Sequence, residues 1–180
     1  GVTANYVYTY DAVGRLTQVQ KDGVLVEEYQ YNNANPLGIR THEMNTLRGI
    51  AGRSLTYNTE DQLLTVGTTT YQYSADGFLW TKVAGTDSTT YTYSSRGELL
   101  QVNLPDGRKL EYVHDTLGRR IAKKINGTVV EKYLWSGMTQ LLAVYDGSNN
   151  LLMRFEYADA RVPYSMSKGG QTYYLAYDQV

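Results

Sequence analysis

The pair Tyr-x-Tyr returns along this chain at a nearly constant interval. It stands at Tyr8/Tyr10, Tyr29/Tyr31, Tyr71/Tyr73 and Tyr91/Tyr93, and degenerate copies end at Tyr57, Tyr112, Tyr133, Tyr157 and Tyr177. Nine anchors from Tyr10 to Tyr177 give a mean spacing of about 21 residues. A short fixed period means one small supersecondary unit, copied and held by its neighbours. The residues after each anchor repeat as well. Asp11-Ala12-Val13-Gly14-Arg15-Leu16 is the fullest copy, and the runs leading to Gly77, Gly97 and Gly118 share its frame, the last opening on Asp115. Asp, Asn or Ser starts a turn by bonding nearby backbone, and Gly three residues on takes the left-handed conformation. In Asn58–Leu63 an Asp fills the glycine place.

A second set of turns lies between the first. Asp22-Gly23, Asp106-Gly107 and Asn126-Gly127 are two-residue hairpin signals, and Gly67-Thr68 and Gly85-Thr86-Asp87 are weaker ones. Each copy therefore reads as strand, Asx-to-Gly turn, strand, hairpin turn. The strands are Tyr-, Thr-, Val- and Leu-rich, with strict alternation in Thr69–Tyr73 and Thr89–Tyr93. The stretch 32–54 is less regular and reads as a longer hairpin, 38–46 against 50–57, turning at Leu47-Arg48-Gly49; the stretch 158–170 is also irregular. No Pro/Gly/Ser linker divides the chain, so residues 1–180 are expected to form one array. About 16–18 strands joined by short turns are expected to form one long antiparallel sheet, which curls because an open twisted sheet rarely holds more than about ten. Residues i and i+2 share a face, so paired tyrosines should line one side and stack on tyrosines of neighbouring strands.

Composition narrows the function. Tyr occurs 18 times against 2 Phe and 2 Trp, with 17 Gly and 3 Pro, which suits strands between turns. A net charge of −1 argues against nucleic acid, and the absence of Cys excludes disulfides and thiol chemistry. No apolar run approaches the length of a membrane-spanning helix. The start, Gly1 to Asn5, has neither a charged n-region nor an initiator Met and reads as that of an excised piece.

The stretch Tyr8-Thr9-Tyr10-Asp11-Ala12-Val13-Gly14-Arg15-Leu16 resembles the consensus of the YD repeats of Rhs proteins. Tyr112–Ala122 and Arg154–Pro163 are similar to further family stretches, so the resemblance covers essentially the whole chain. It implies an all-β fold, a long sheet spiralling into a hollow shell, as in Rhs proteins, toxin-complex C components and teneurins. It implies a non-catalytic role, in which the bacterial shells enclose a C-terminal toxin until delivery. The implied partners are the remaining repeats and core of a parent chain and the enclosed polypeptide, and the parent is secreted or associated with the cell envelope. The stretch 173–180 resembles the lead into the family core, and the family's cleavage aspartate has no matching position here.

Few residues offer chemistry beyond that role. His42 and His114 are far apart, and Thr41-His42-Glu43-Met44 lacks the second His of a zinc-protease motif, so both read as strand or turn side chains. The aspartates Asp11, Asp76, Asp106 and Asp115 recur in turn frames and read as turn formers. No phosphate loop is present, and no catalytic residue, metal or cofactor is expected. Trp80 and Trp135 are the candidate binding residues, because Trp on a β-surface can stack on a sugar; their plainer role is in the ladder. The alternative function is therefore a surface adhesion module that binds carbohydrate or peptide. Cut sheet edges near Tyr6–Tyr10 or Tyr173–Tyr177 are expected to template self-association.

Overall fold

The computed structural model describes residues 3–33, 38–159 and 161–177. The expected all-β class holds. The strands are β1 (Tyr6–Tyr10), β2 (Leu16–Lys21), β3 (Val24–Tyr31), β4 (Arg40–Asn45), β5 (Ile50–Tyr57), β6 (Leu63–Val66), β7 (Thr69–Tyr73), β8 (Leu79–Ala84) and β9 (Asp87–Tyr93). They continue as β10 (Leu99–Asn103), β11 (Lys109–His114), β12 (Arg120–Ile125), β13 (Thr128–Ser136), β14 (Gln140–Asp146), β15 (Leu151–Tyr157), β16 (Pro163–Lys168) and β17 (Gln171–Tyr174). One 3-10 turn, Thr46–Arg48, is capped by the Asn45 side chain and ended by Gly49 at φ 68. It closes the longer hairpin expected in that region, with His42 opposite Ser54 and Asn45 opposite Ile50.

The chain falls into two compact units. One holds the residues up to Tyr73 with Lys82–Asp87; the other holds Ser74–Thr81 with the residues from Ser88 onward. In the first, β1 to β7 form an antiparallel meander in chain order. In the second, β9 to β17 do the same. Of the 173–180 stretch likened to the family core, residues 178–180 lie outside the described residues, as do 34–37 of the irregular 32–54 stretch.

Two turn geometries recur, and among the described residues one occurs seven times. In it the first residue's N–H bonds the carbonyl four residues on, and the fourth residue's N–H returns to the first carbonyl. It spans 11–15, 58–62, 74–78, 94–98, 104–108, 115–119 and 146–150. The fourth residue needs positive φ, which Gly14 (84), Gly77 (83), Gly97 (85) and Gly118 (79) supply at no steric cost. Asp61 (59) and Asn149 (69) supply it with short polar side chains. The expectation that Asp106-Gly107 forms a two-residue hairpin is corrected here. Gly107 is the fourth residue of a copy of this turn that starts at Leu104, while Asp106 accepts from Arg108 N at 3.0 Å. Two-residue turns with both centres at positive φ are Asp22-Gly23 (φ 51 and 79), Asn126-Gly127 (50 and 82) and Gly169-Gly170 (58 and 76), and Gly67-Thr68 also joins its strands by two residues, with Gly67 at φ 56 and Val66 opposite Thr69.

Little is fully buried. Val19 and Val26 form the core of the first unit, and Val102, Ala143, Val144 and the polar Ser165 that of the second. With so few large aliphatics inside, the ladders and the side-chain clamps between hairpin strands carry the cohesion.

Candidate functional site

The first use of the repeat side chains is structural. Asp11 Oδ1 accepts from Val13 N (3.0 Å) and Arg15 N (2.9 Å), and its Oδ2 takes Arg15 Nε at 2.6 Å. Asp115 does the same with Leu117 N (2.9 Å), Arg119 N (3.0 Å) and Arg119 Nε (2.7 Å). Asn58, Ser94 and Asp146 accept backbone N–H groups at the same place in their turns. The backbone N–H of Arg15 above all, aided by its guanidinium, holds the Asp11 carboxyl below its ordinary value. Burial works against ionisation of Asp115, yet Arg119 prevails and its carboxyl is lowered too. Each guanidinium then reaches onward: Arg15 to Asn33 Oδ1 at 2.8 Å, Arg119 to the Gly137 carbonyl. The repeated Asp-x-x-x-Arg spacing in the sequence is the signal for this clamp.

In five copies the second aromatic does a different job. From the end of a hairpin it donates to the carbonyl near the start of that hairpin's first strand. Tyr31 Oη bonds Leu16 O (2.7 Å), Tyr73 bonds Leu63 O (2.9 Å), Tyr157 bonds Leu141 O (3.0 Å) and Tyr177 bonds Pro163 O (2.6 Å). Trp135 Nε1 makes the same bond to Arg120 O at 2.7 Å. Trp135 therefore stands where the other copies have their second tyrosine. Tyr133 matches the first tyrosine, Tyr29: Tyr29 Oη donates to Glu27 at 2.5 Å and Tyr133 Oη to Glu131. Burial, then the adjacent carboxylate, raises both phenols, Tyr133 to about 12.

Beside these bonds, arginines lie over several tyrosine faces. Arg15 lies 4.7 Å from the Tyr31 centroid, Arg40 4.3 Å from Tyr29 and Arg120 4.0 Å from Tyr112. Among the described ring pairs, Tyr6–Tyr8 are neighbours on one strand and Phe78–Tyr93 involves a phenylalanine. The remaining anchors are simply placed. Tyr8 and Tyr10 are exposed on β1 and Tyr177 is exposed, whereas Tyr57, Tyr71 and Tyr91 are half-buried in their strands. Trp80 is 57% exposed on β8.

A concavity lies on the strands of the second unit. It holds about 480 Å³ and is walled by Tyr133, Trp135, His114 and Arg120, with Leu117 and Leu141 at its sides. Trp80 is not among its lining residues. The register puts His114 directly opposite Arg120, at a bulge between Val113 and His114. Residue spacing gives His114 only a strand or turn role and does not single out Arg120. Among the described residues no group of three or more His, Cys, Asp or Glu is placed to hold a metal ion. No helix there is long and apolar enough to cross a membrane.

Known proteins share this architecture. The chain is 27% identical to human Teneurin-1 over 189 residues, covering 99% of this chain and 6% of that protein. It is 32% identical to mouse Teneurin-1 over 130 residues, covering 69% of this chain and 4% of that protein. The chain thus spans a small fraction of the relatives it matches. In fold it is similar to a chain in the crystal structure of TcdB2-TccC3-Cdc42, with a TM-score of 0.52 at 13% identity over 90% of this chain and 11% of that one. The family model of the teneurin YD-shell matches residues 2–180, and with seventeen antiparallel strands built on its repeated turns the chain belongs to that family.

Proposed function

We propose that this chain is a non-catalytic wall segment of a hollow repeat shell that encloses a polypeptide, such as a C-terminal toxin, for delivery. The observation that carries this reading is how the polar side chains are used. The repeated Asp, Asn, Ser, Arg and Tyr groups are spent on turns and inter-strand clamps, copy after copy, rather than gathered into a reacting set. The partners are the neighbouring repeats and core of the parent chain, and the parent is secreted or exposed at the cell envelope. All five residues of β1 and all four of β17 are exposed, which supports pairing of these strands with further repeats or with a second copy. The test is limited proteolysis of the parent protein carrying a protease site in the enclosed segment. The segment should resist cleavage in the intact protein and become labile when the Gly14 and Gly118 turns are substituted. Ready cleavage in the intact protein removes the proposal.

A second reading, a surface module for carbohydrate or peptide, is favoured by the exposed ring of Trp80. A glycan and peptide array with the wild-type chain and Trp80→Ala separates the two. Saturable binding that depends on Trp80 supports the module, and its absence eliminates it.

A further inference from the structure

The concavity on β11 to β14 contains charge that the framework leaves unbalanced. Three arginines lie over tyrosine faces, and two of them hold a carboxylate as well: Arg15 pairs with Asp11 at 2.6 Å and Arg40 with Glu43 at 3.1 Å. Arg120 over Tyr112 differs in having no carboxylate within ion-pair distance among the described residues, while its Nε, like that of Arg40, is buried without a hydrogen-bond partner. Across the strand pair, His114 Nδ1 is likewise buried with no partner. The acid on β13, Glu131, already takes the Tyr133 hydroxyl and lies 3.8 Å from Lys123 Nζ. The other cation of the groove, Arg119, is satisfied by Asp115. A half-buried guanidinium without a counter-ion, and a buried ring nitrogen without a partner, each lack the compensation that buried polar groups normally have.

The rest of the wall has a different character. Trp135 presents an aromatic surface while its Nε1–H is committed to the Arg120 carbonyl, so its ring is held in place. Leu117 and Leu141 add apolar sides. The volume of about 480 Å³ falls in the usual range for small-molecule sites, apolar walls with a few converging polar groups.

We propose that this groove binds an organic carboxylate whose body is aromatic, the anion meeting the Arg120 guanidinium beside His114 and the ring lying against Trp135. Arginine offers carboxylate two donors in a fork, the strongest neutral-pH match for that anion. Two sources carry this chemistry: a free aromatic acid, and the C-terminal carboxylate of a polypeptide that ends in an aromatic residue. The corresponding place in residues 5–33 has Leu16 and Tyr10 instead of Arg120 and His114, so the site is not a property of the repeat.

The test uses the whole chain carrying Trp80→Phe, which leaves Trp135 as its single tryptophan. Trp135 fluorescence is followed while 3-phenylpropionate, the uncharged 3-phenylpropanol and a short peptide ending in Phe are added separately. Saturable change with the acid, at roughly tenfold higher affinity than with the alcohol, is the expected result. Arg120→Gln should abolish that preference with the β-sheet circular dichroism unchanged. The preference between acid and alcohol, read on the chain with Arg120 intact, decides the matter even if Arg120→Gln does not fold. Tighter binding of the peptide than of the free acid assigns the site to a chain terminus, and the reverse assigns it to a small molecule. No saturable change at millimolar acid, or equal binding of acid and alcohol, overturns the proposal.

Discussion

Residue 5 corresponds to residue 109 and residue 33 to residue 137, a constant offset of 104 that joins the first unit to the second. Asp22 N bonds Asn5 O and Asn126 N bonds Lys109 O, both at 2.8 Å, and both Asx side chains accept the returning N–H at 2.8 Å. The bulge before Tyr10 matches the bulge before His114, and that after Val19 matches that after Lys123. Eight of the 29 positions are identical: Tyr8, Asp11, Gly14, Arg15, Gly23, Val26, Glu27 and Tyr29 with their counterparts. Those are mostly turn, clamp and phenol–carboxylate residues. Several positions outside this set change character, so Val19 (2% exposed) becomes a half-buried Lys123, and Leu16, Tyr10 and Tyr31 become Arg120, His114 and Trp135. One backbone pattern thus carries two different surfaces, and the groove is built on the second.

The largest test of that equivalence removes the closing aromatic from each copy. Tyr31→Ala and Trp135→Ala should each cost about 2–3 kcal/mol, somewhat below the usual loss for a fully buried aromatic because both rings are half-buried. Denaturant midpoints measure this. A loss confined to Trp135→Ala would mean that the tyrosine clamp is incidental and that only the groove wall matters.

Next in size are the left-handed glycines. Gly14 and Gly118 have φ 84 and 79, and a Cβ at Gly14 meets nothing within 4 Å, so Gly14→Ala should cost about 1–2 kcal/mol through backbone strain alone. At Gly118 the added carbon would lie 3.3 Å from Glu98 Oε1, the movable end of a side chain, so the same cost is expected. A clearly larger loss at Gly118 would show that Glu98 cannot yield and that the second copy is packed more tightly.

These glycines, and the strand alternation around them, were legible from residue spacing because each has a local cause. A strand count of seventeen falls in the expected range for the same reason. The features that escaped are not local. Asp-Gly fits either turn class, and at Asp106-Gly107 the deciding residue is Leu104, whose side chain accepts no hydrogen bond and so gives no sign that a turn begins there. The 146–150 turn has its glycine, Gly147, in the second place and Asn149 in the left-handed one, which hides the pattern. The groove depends on a cross-strand register set by a bulge. Nothing in the spacing of His114 and Arg120 says that they face each other, and nothing in Tyr-Leu-Trp says which aromatic closes the hairpin.

A finer test isolates the clamp's hydrogen bond. Tyr31→Phe keeps the ring and deletes only the bond to Leu16 O, for an expected loss of about 1 kcal/mol. Trp135→Tyr should be tolerated about as well, since a phenol makes the same bond in four other copies. If Trp135→Tyr costs much more than Tyr31→Phe, the indole has a role that the repeat does not require, which points to the groove.

The smallest effect concerns the phenol–carboxylate pair that both copies share. Tyr133 is raised from 10.0 to about 12, by burial first and by Glu131 second. Tyr29 moves in the same direction for the same reasons, with Arg40 partly opposing. A phenol whose folded value lies above its unfolded one favours folding fully below pH 10, and this contribution is lost as the pH rises from 10 through 12. Tyrosinate absorbance during an alkaline titration should show a late phase that Tyr133→Phe removes. Because burial is the larger cause, Glu131→Gln should lower the Tyr133 value only in part and leave it above 10. A return to the ordinary value in Glu131→Gln would mean that the carboxylate alone holds the proton, and that the second copy shields its ring from water no better than an exposed strand does.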